Sequence, residues 1–316
     1  MKEKWNALCA LAVLAGLLLP GATFADQEFS QLIIISGSLS DVGNYASVHG
    51  WRPAPFYKYR STNGPNIDDF FAEALNFPDE PSMHLVGPVK GNNFAVFQSL
   101  AGGHGPEDLP AQIQAYLGSR GGKADPKALH LLLIGGSDVI NAFLEPNDAK
   151  SSQILDAAVD GMEHAIKTLA AAGAKTIYAP NFTDLGATPY AVKNHVEARG
   201  RRISVEYNTK YSKMLDRMDH ELHIDLIRWD FFAWSEKFLT HVHEFGFTNT
   251  TGSCLAESPT YQCGDLSKFL FLDDFFPTAR AHRLFGIAMT ENFIEHEKNA
   301  GSKATKTATA SNSLVK

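Results

Sequence analysis

The sequence predicts an α/β protein, a three-layer α/β/α domain around a parallel central sheet. Two observations carry the prediction. Apolar runs of strand length alternate with amphipathic helical stretches from about residue 30 to 298. The best defined run, Leu129-His130-Leu131-Leu132-Leu133-Ile134, is apolar almost throughout rather than alternating, which suits a strand covered on both faces. No second composition and no internal repeat interrupts the pattern, so one domain is expected over residues 26–300.

The 316-residue chain is 44% hydrophobic and 20% charged, which is globular composition. Its formal net charge of −7 argues against a nucleic-acid partner, which would want a basic patch. Lys2 and Lys4 precede an apolar core from Ala7 to Leu19, Pro20 and Gly21 break it, and Thr23-Phe24-Ala25 offers small residues at a cleavage site. A signal peptide over residues 1–25 is therefore expected, with a secreted or periplasmic product. About 13 apolar residues are too few to span a bilayer, which takes roughly 20, and no later stretch is longer. After cleavage two of the three cysteines remain, Cys254 and Cys263. An even pair in an oxidising compartment is expected to form a disulfide; the rival reading, a two-thiolate metal site, lacks a nearby His or Cys at ligand spacing.

Taken in order, a first strand covers Phe29 to Gly37. It ends in the small-residue turn Ser36-Gly37-Ser38, with Asp41, Gly43 and Asn44 beyond. The turn reads either as a plain strand-to-loop connection or as a place for a nucleophile at the carboxyl end of a strand. Tyr45 to Pro65 is rich in aromatics, Pro and Gly and reads as a surface loop; Asn66 caps the helix that follows. A helix is expected over Leu109–Leu117, a strand over Leu129–Gly135 and a helix over Ser152–Ala172. Beyond them come a strand over Lys175–Pro180, a charged helix from about Ala198 to Leu222, a strand over Ile224–Trp229 and a helix through Phe231, Phe232 and Trp234. The last helix runs to about Lys298, and residues 301–316 show no apolar period and read as a disordered tail.

Several stretches resemble the sequence blocks of the GDSL (SGNH) esterases and lipases. The first block usually reads Phe-Gly-Asp-Ser-Leu-Ser-Asp-x-Gly-Asn; this chain reads Ile-Ser-Gly-Ser-Leu-Ser-Asp-Val-Gly-Asn from Ile35, matching from Ser38 onward. Gly91-Asn92-Asn93-Phe94-Ala95-Val96 resembles the second block, in which a later glycine supplies an oxyanion N–H; Gln98 stands in that glycine's place. The third block is Gly-x-Asn-Asp, and Ser137 replaces its asparagine in Gly135-Gly136-Ser137-Asp138. Asp-Leu-Gly-x-Thr-Pro recurs at Asp184–Pro189, and Phe245-Gly246-Phe247-Thr248-Asn249 differs from the family only in its first residue. The last block reads Phe-Trp-Asp-x-x-His-Pro-Thr. Here Asp273 matches the triad aspartate, but Phe276 holds the place of the triad histidine.

The resemblance implies the flavodoxin-like SGNH fold and serine ester hydrolysis, with Ser38 as nucleophile. The Thr-Asn and paired-cysteine stretch is similar to that of secreted bacterial lysophospholipase or acyltransferase types. A lipid or small ester is the implied ligand; no cofactor, no metal and no membrane span are implied, and a monomer is expected. Ester hydrolysis by serine needs a base, a carboxylate to orient it and donors for the oxyanion. Phe276 has no titratable atom. Losing a base costs on the order of 10⁶ in turnover and losing one oxyanion donor roughly 10²–10³. Little activity by the family mechanism is therefore expected, which leaves an impaired esterase or a non-catalytic acyl-binding relative. His282 reads as structural, His104 as a remote alternative base, and Asp273 or Asp274 alone as a weak one. His241 and His243 lack a third ligand for zinc.

Overall fold

The computed structural model describes residues 29–50, 56–255 and 264–313, with side chains as far as residue 302. The expected signal peptide and Cys263 lie outside the described residues. The elements are β1 (Gln31–Ser36), α1 (Asn44–His49), α2 (Ile67–Ala74), α3 (Leu109–Gly118), β2 (Ala128–Leu133), α4 (Gly136–Leu144), α5 (Asp148–Ala172), β3 (Thr176–Pro180), α6 (Pro189–Lys193), α7 (Glu197–Glu221), β4 (Asp225–Trp229), α8 (Phe231–Thr240), β5 (Asn249–Ser253), β6 (Phe269–Phe271) and α9 (Ala279–Ser313).

The four strands β1 to β4 pair in chain order and all in parallel. Successive strand residues point to opposite faces, so each strand feeds two cores. Ile33 and Ile35 of β1 and Leu132 of β2 enter one, against Tyr116 of α3, Phe143 of α4, Met162 of α5 and Tyr207 of α7. Leu32 and Ile34 of β1 and Leu129 and Leu131 of β2 enter the other, against Phe71 of α2, Phe238 of α8 and Phe293 of α9. These are the three layers predicted from the alternating elements. Each fully buried Leu, Ile or Phe contributes about 1.5–3 kcal/mol, so the double-faced sheet dominates the stability. Asn66 caps α2 as expected: its Oδ1 accepts from the N–H groups of Asp68 and Asp69, and Asp69 accepts from the Asn66 N–H at 2.7 Å.

Three helices depart from the state or bounds read from the sequence, and α4, α6, β5 and β6 were not read at all. The stretch from Tyr45, read as loop, opens with α1, because the Asp41 carboxylate accepts from the N–H groups of Gly43, Asn44 and Tyr45 and so starts a turn. Helix α5 begins at Asp148 rather than Ser152; Asn147 caps it, and its first residues are polar and so invisible to an apolar period. The backbone assigned to α9 is helical as far as Ser313, where the tail from 301 had been expected without structure. Ala and Lys favour helix without any apolar stripe. The body comprises Phe29–His296; Glu297–Ser313 are the described part of a separate terminal unit. Among the described residues no helix is long and apolar enough to cross a membrane.

On the far side of β1, the segment around Asn93 runs parallel to Ile34, with the Ile34 N–H donating to Asn92 O at 3.0 Å and the Phe94 N–H to Ile34 O at 2.7 Å. That pairing carries the chain from residue 92 to 98 alongside β1 and past Ser38. Helix α5 closes over this segment. A Cβ on Gly161 would lie 2.0 Å from the Ala101 carbonyl oxygen. In an open helix Gly→Ala is worth up to about 1 kcal/mol of gain, but here the backbone must move. Gly161→Ala is expected to destabilise by about 2–4 kcal/mol, read as a lower urea midpoint.

Candidate active site

Ser38 lies just past the carboxyl end of β1, where a parallel sheet opens its crevice. The turn is held from several directions. The side-chain amide of the buried Gln112 brackets Ser36: Oε1 accepts from the Ser36 N–H at 3.1 Å and Nε2 donates to Ser36 O at 3.0 Å. Ser61 donates its hydroxyl to Ser38 O at 2.7 Å. The buried Asp41 carboxylate also accepts from the Phe97 N–H at 2.8 Å, joining the serine turn to the neighbouring segment. Burial pushes the Asp41 carboxyl up to about 6, against the pull of its four backbone N–H partners.

The Gln98 N–H donates to Ser38 Oγ at 2.8 Å. Gln98 reaches this geometry with φ of +65°, the left-handed region that glycine occupies freely. A non-glycine residue at this position therefore still presents its N–H to Ser38, at a backbone strain of about 1–2 kcal/mol. Ser137 sits in the first turn of α4 and lines the same cleft as Ser38; its hydroxyl makes no hydrogen bond among the described residues. Gly135 before it has φ of +112°, and a Cβ there would lie 2.4 Å from the Tyr207 hydroxyl, so this turn accepts only glycine.

Asp273 Oδ1 accepts from the N–H groups of Phe275 at 2.9 Å and Phe276 at 2.7 Å. The carboxylate thus shapes the turn in which a histidine would follow it. Phe276 instead points an inert ring into the cleft, with its centroid 5.6 Å from that of Phe97. The cleft joins Ser38, Ser137, Phe276 and a wall of phenylalanines that includes Phe182, Phe231, Phe238 and Phe285, and Phe276 links it to Phe97, the neighbour of Gln98. Asp184 is the one titratable side chain among its described lining residues. That carboxylate is already engaged by the Gly186 N–H at 2.7 Å and by Arg201 at 2.8 Å.

No histidine lines the cleft among the described residues. His282 is fully buried in α9, and neither ring nitrogen has a hydrogen-bond partner among the described residues. Burial pushes it down to about 3, so it is neutral and shielded. His104 is exposed in its glycine-rich loop. His243 Nδ1 lies 2.8 Å from Phe247 O and His241 Nδ1 lies 3.0 Å from Lys237 O, contacts that tie each ring to nearby backbone. Asp274 accepts from the Ser253 hydroxyl at 3.3 Å. Cys254 is buried. The sequence reading passed over Gln112, Asp108 and Asp138 as organisers of the site. Asp138 stood in the third block and Gln112 in the Gln-Ile-Gln run of α3; each was visible as a residue, but neither as a partner.

Comparison with known proteins agrees with this geometry. The GDSL-like Lipase/Acylhydrolase family matches residues 38–289. The chain is 22% identical to a GDSL esterase/lipase of Arabidopsis thaliana over 87% of its own length and 94% of that protein. A second Arabidopsis thaliana GDSL esterase/lipase is 21% identical over 91% of the chain and 97% of its own length. Lipase 1 of Photorhabdus luminescens is 28% identical over 51% of the chain, but the match covers 23% of that protein. A serine at the mouth of a parallel sheet, a backbone N–H upon it, an aspartate-led turn opposite and a match across most of the length agree. The chain belongs to the GDSL-like lipase/acylhydrolase family of ester hydrolases.

Proposed function

We propose that this protein is an exported member of the family that binds the acyl part of a lipid or small ester in the phenylalanine-lined cleft, with hydrolysis impaired. One observation carries the reading: Phe276, which the resemblance aligns with the family's histidine, lines the Ser38 cleft, and no histidine lines it among the described residues. A serine hydroxyl near neutral pH is a poor nucleophile without a base to take its proton. The apolar cleft supports acyl binding, since each methylene buried contributes about 0.8 kcal/mol. Lysophospholipids are the substrate class favoured by the Thr248-Asn249 and Cys254/Cys263 stretch. Cleavage after Ala25, a Cys254–Cys263 disulfide and a monomeric state belong to the same proposal.

The test is hydrolysis of a lysophospholipid and of a short p-nitrophenyl ester by purified protein beside Ser38→Ala, with titration of a fluorescent fatty acid. Binding with hydrolysis no faster than Ser38→Ala is expected. Hydrolysis that disappears in Ser38→Ala would overturn the impaired reading; absence of fatty-acid binding would overturn the acyl cleft.

A further inference from the structure

The six residues from Phe97 to Gly102 carry the strained Gln98, and every N–H in the segment has an assigned acceptor. Ser99 donates to Val96 O at 3.2 Å, and Gln98 donates to Ser38. The other four donate to carboxylates. Phe97 donates to Asp41 Oδ2 at 2.8 Å and Leu100 to Asp108 Oδ1 at 2.8 Å. Ala101 donates to Asp138 Oδ2 at 2.8 Å and Gly102 to Asp138 Oδ1 at 3.0 Å. The three acids come from different places: the turn after β1, the residue that precedes α3, and the first turn of α4. Asp41 and Asp138 are almost fully buried. The Gln98 side chain is exposed, so it does nothing to hold its own backbone in place.

We infer that Asp41, Asp108 and Asp138 form a clamp that holds Gln98 in the left-handed conformation and so keeps its N–H aimed at Ser38. They are positioning residues for the oxygen-binding donor. A charged acceptor makes a stronger hydrogen bond than a neutral one, and one strained residue flanked by four such bonds cannot relax without breaking at least one. Helix α5 blocks retreat, because Gly102 and Gly161 leave no space between the segment and the helix backbone. The clamp explains how the donor survives replacement of a glycine. It also separates two functions that act together in a hydrolase: the means of holding a carbonyl oxygen is kept where the means of deprotonating Ser38 is absent.

The test exploits the one residue that needs no clamp. Glycine adopts φ near +65° without strain, so loosening the clamp should matter less when residue 98 is glycine. Asp138→Asn keeps the side chain's size but turns an amide NH₂ toward one of the two N–H donors. Amide hydrogen exchange of the peptide spanning 97–102 is measured in the native chain, Asp138→Asn, Gln98→Gly and the double variant. Asp138→Asn is expected to speed exchange about tenfold, the release of one strained residue, and to shift the Gln98 amide resonance as it leaves Ser38 Oγ. Gln98→Gly alone is expected to leave exchange unchanged, and the effect of Asp138→Asn in the glycine background should fall several-fold. An equal effect in both backgrounds, or an unmoved Gln98 resonance, would show that Asp138 is a structural support only and would overturn the clamp. Should Asp138→Asn fail to fold, Asp108→Asn, a less buried member holding Leu100, replaces it in the same cycle with the same outcomes.

Discussion

Phe276→His combined with Ser137→Asn is expected to raise ester hydrolysis at least about 10³-fold over the native chain. Three features of the structure support this expectation. Ser38 is held at the carboxyl end of β1, the Gln98 N–H is 2.8 Å from its hydroxyl, and Asp273 already organises the turn that would present the histidine. Restoring the base addresses the largest deficit, on the order of 10⁶ in turnover, and the longer asparagine amide restores a donor worth roughly 10²–10³. The gain falls short of the product of these factors because members of a catalytic set act as a unit. Phe276 is half-buried, so histidine there leaves no large cavity. The measurement is p-nitrophenyl ester turnover, with Ser38→Ala added to the double variant to show that the gained rate runs through Ser38. A double variant that binds fatty acid but stays at background would show that Asp273 is not placed to orient the base.

Asp79→Asn should make stability less dependent on pH, with the gain greatest above pH 7. Asp79 Oδ1 accepts from Asn93 Nδ2 at 2.7 Å, while Oδ2 is shut from solvent without a hydrogen bond among the described residues. Burial first, and the neighbouring Asp69 second, push its carboxyl from 3.8 up to about 7. The nearby Arg60 does little to offset this, being held by Asp69. The folded state therefore binds a proton that the unfolded chain has released between about pH 4 and 7. Stability from this group is fully present below pH 3.8 and is lost as pH rises through 7, a range worth on the order of 4 kcal/mol.

Asparagine can still accept from Asn93 and never charges. The variant should match the native chain at pH 4 and exceed it at pH 8, read from urea unfolding at both values. Burial lowers His84 and His130 to about 4 and His282 to about 3, and these oppose the trend on acidification below 6.5. They are common to both proteins and so cancel; the difference reads the Asp79 charge together with its push on the buried Asp68 carboxyl. An equal difference at pH 4 and pH 8 would refute the assignment.

Much of the fold was legible because it rests on periodicity. The run at 129–134 announces a strand buried on both faces, and β2 is buried at all six positions. Asn66 announces a cap and makes it. Helix α1 was not legible, since Tyr45 to His49 carries no apolar stripe and is started by the Asp41 side chain. The two-stranded pair β5 and β6 was missed for a related reason: 249–253 is polar and 269–271 too short for a period to show. In the site, Ser38 and Asp273 could be picked out by motif, and Phe276 by its position before Pro277-Thr278.

The state of Gln98 was not legible at all. Sequence by itself determined what position 276 cannot supply: a phenylalanine has no proton acceptor in any fold, so no base can come from that side chain. Tertiary structure alone decided the chemistry that is kept. A backbone dihedral has a strained option open to any residue, and which option it takes depends on the forces at its ends. Those forces come from carboxylates at positions 41, 108 and 138, brought together by a sheet that orders strands far apart in the chain.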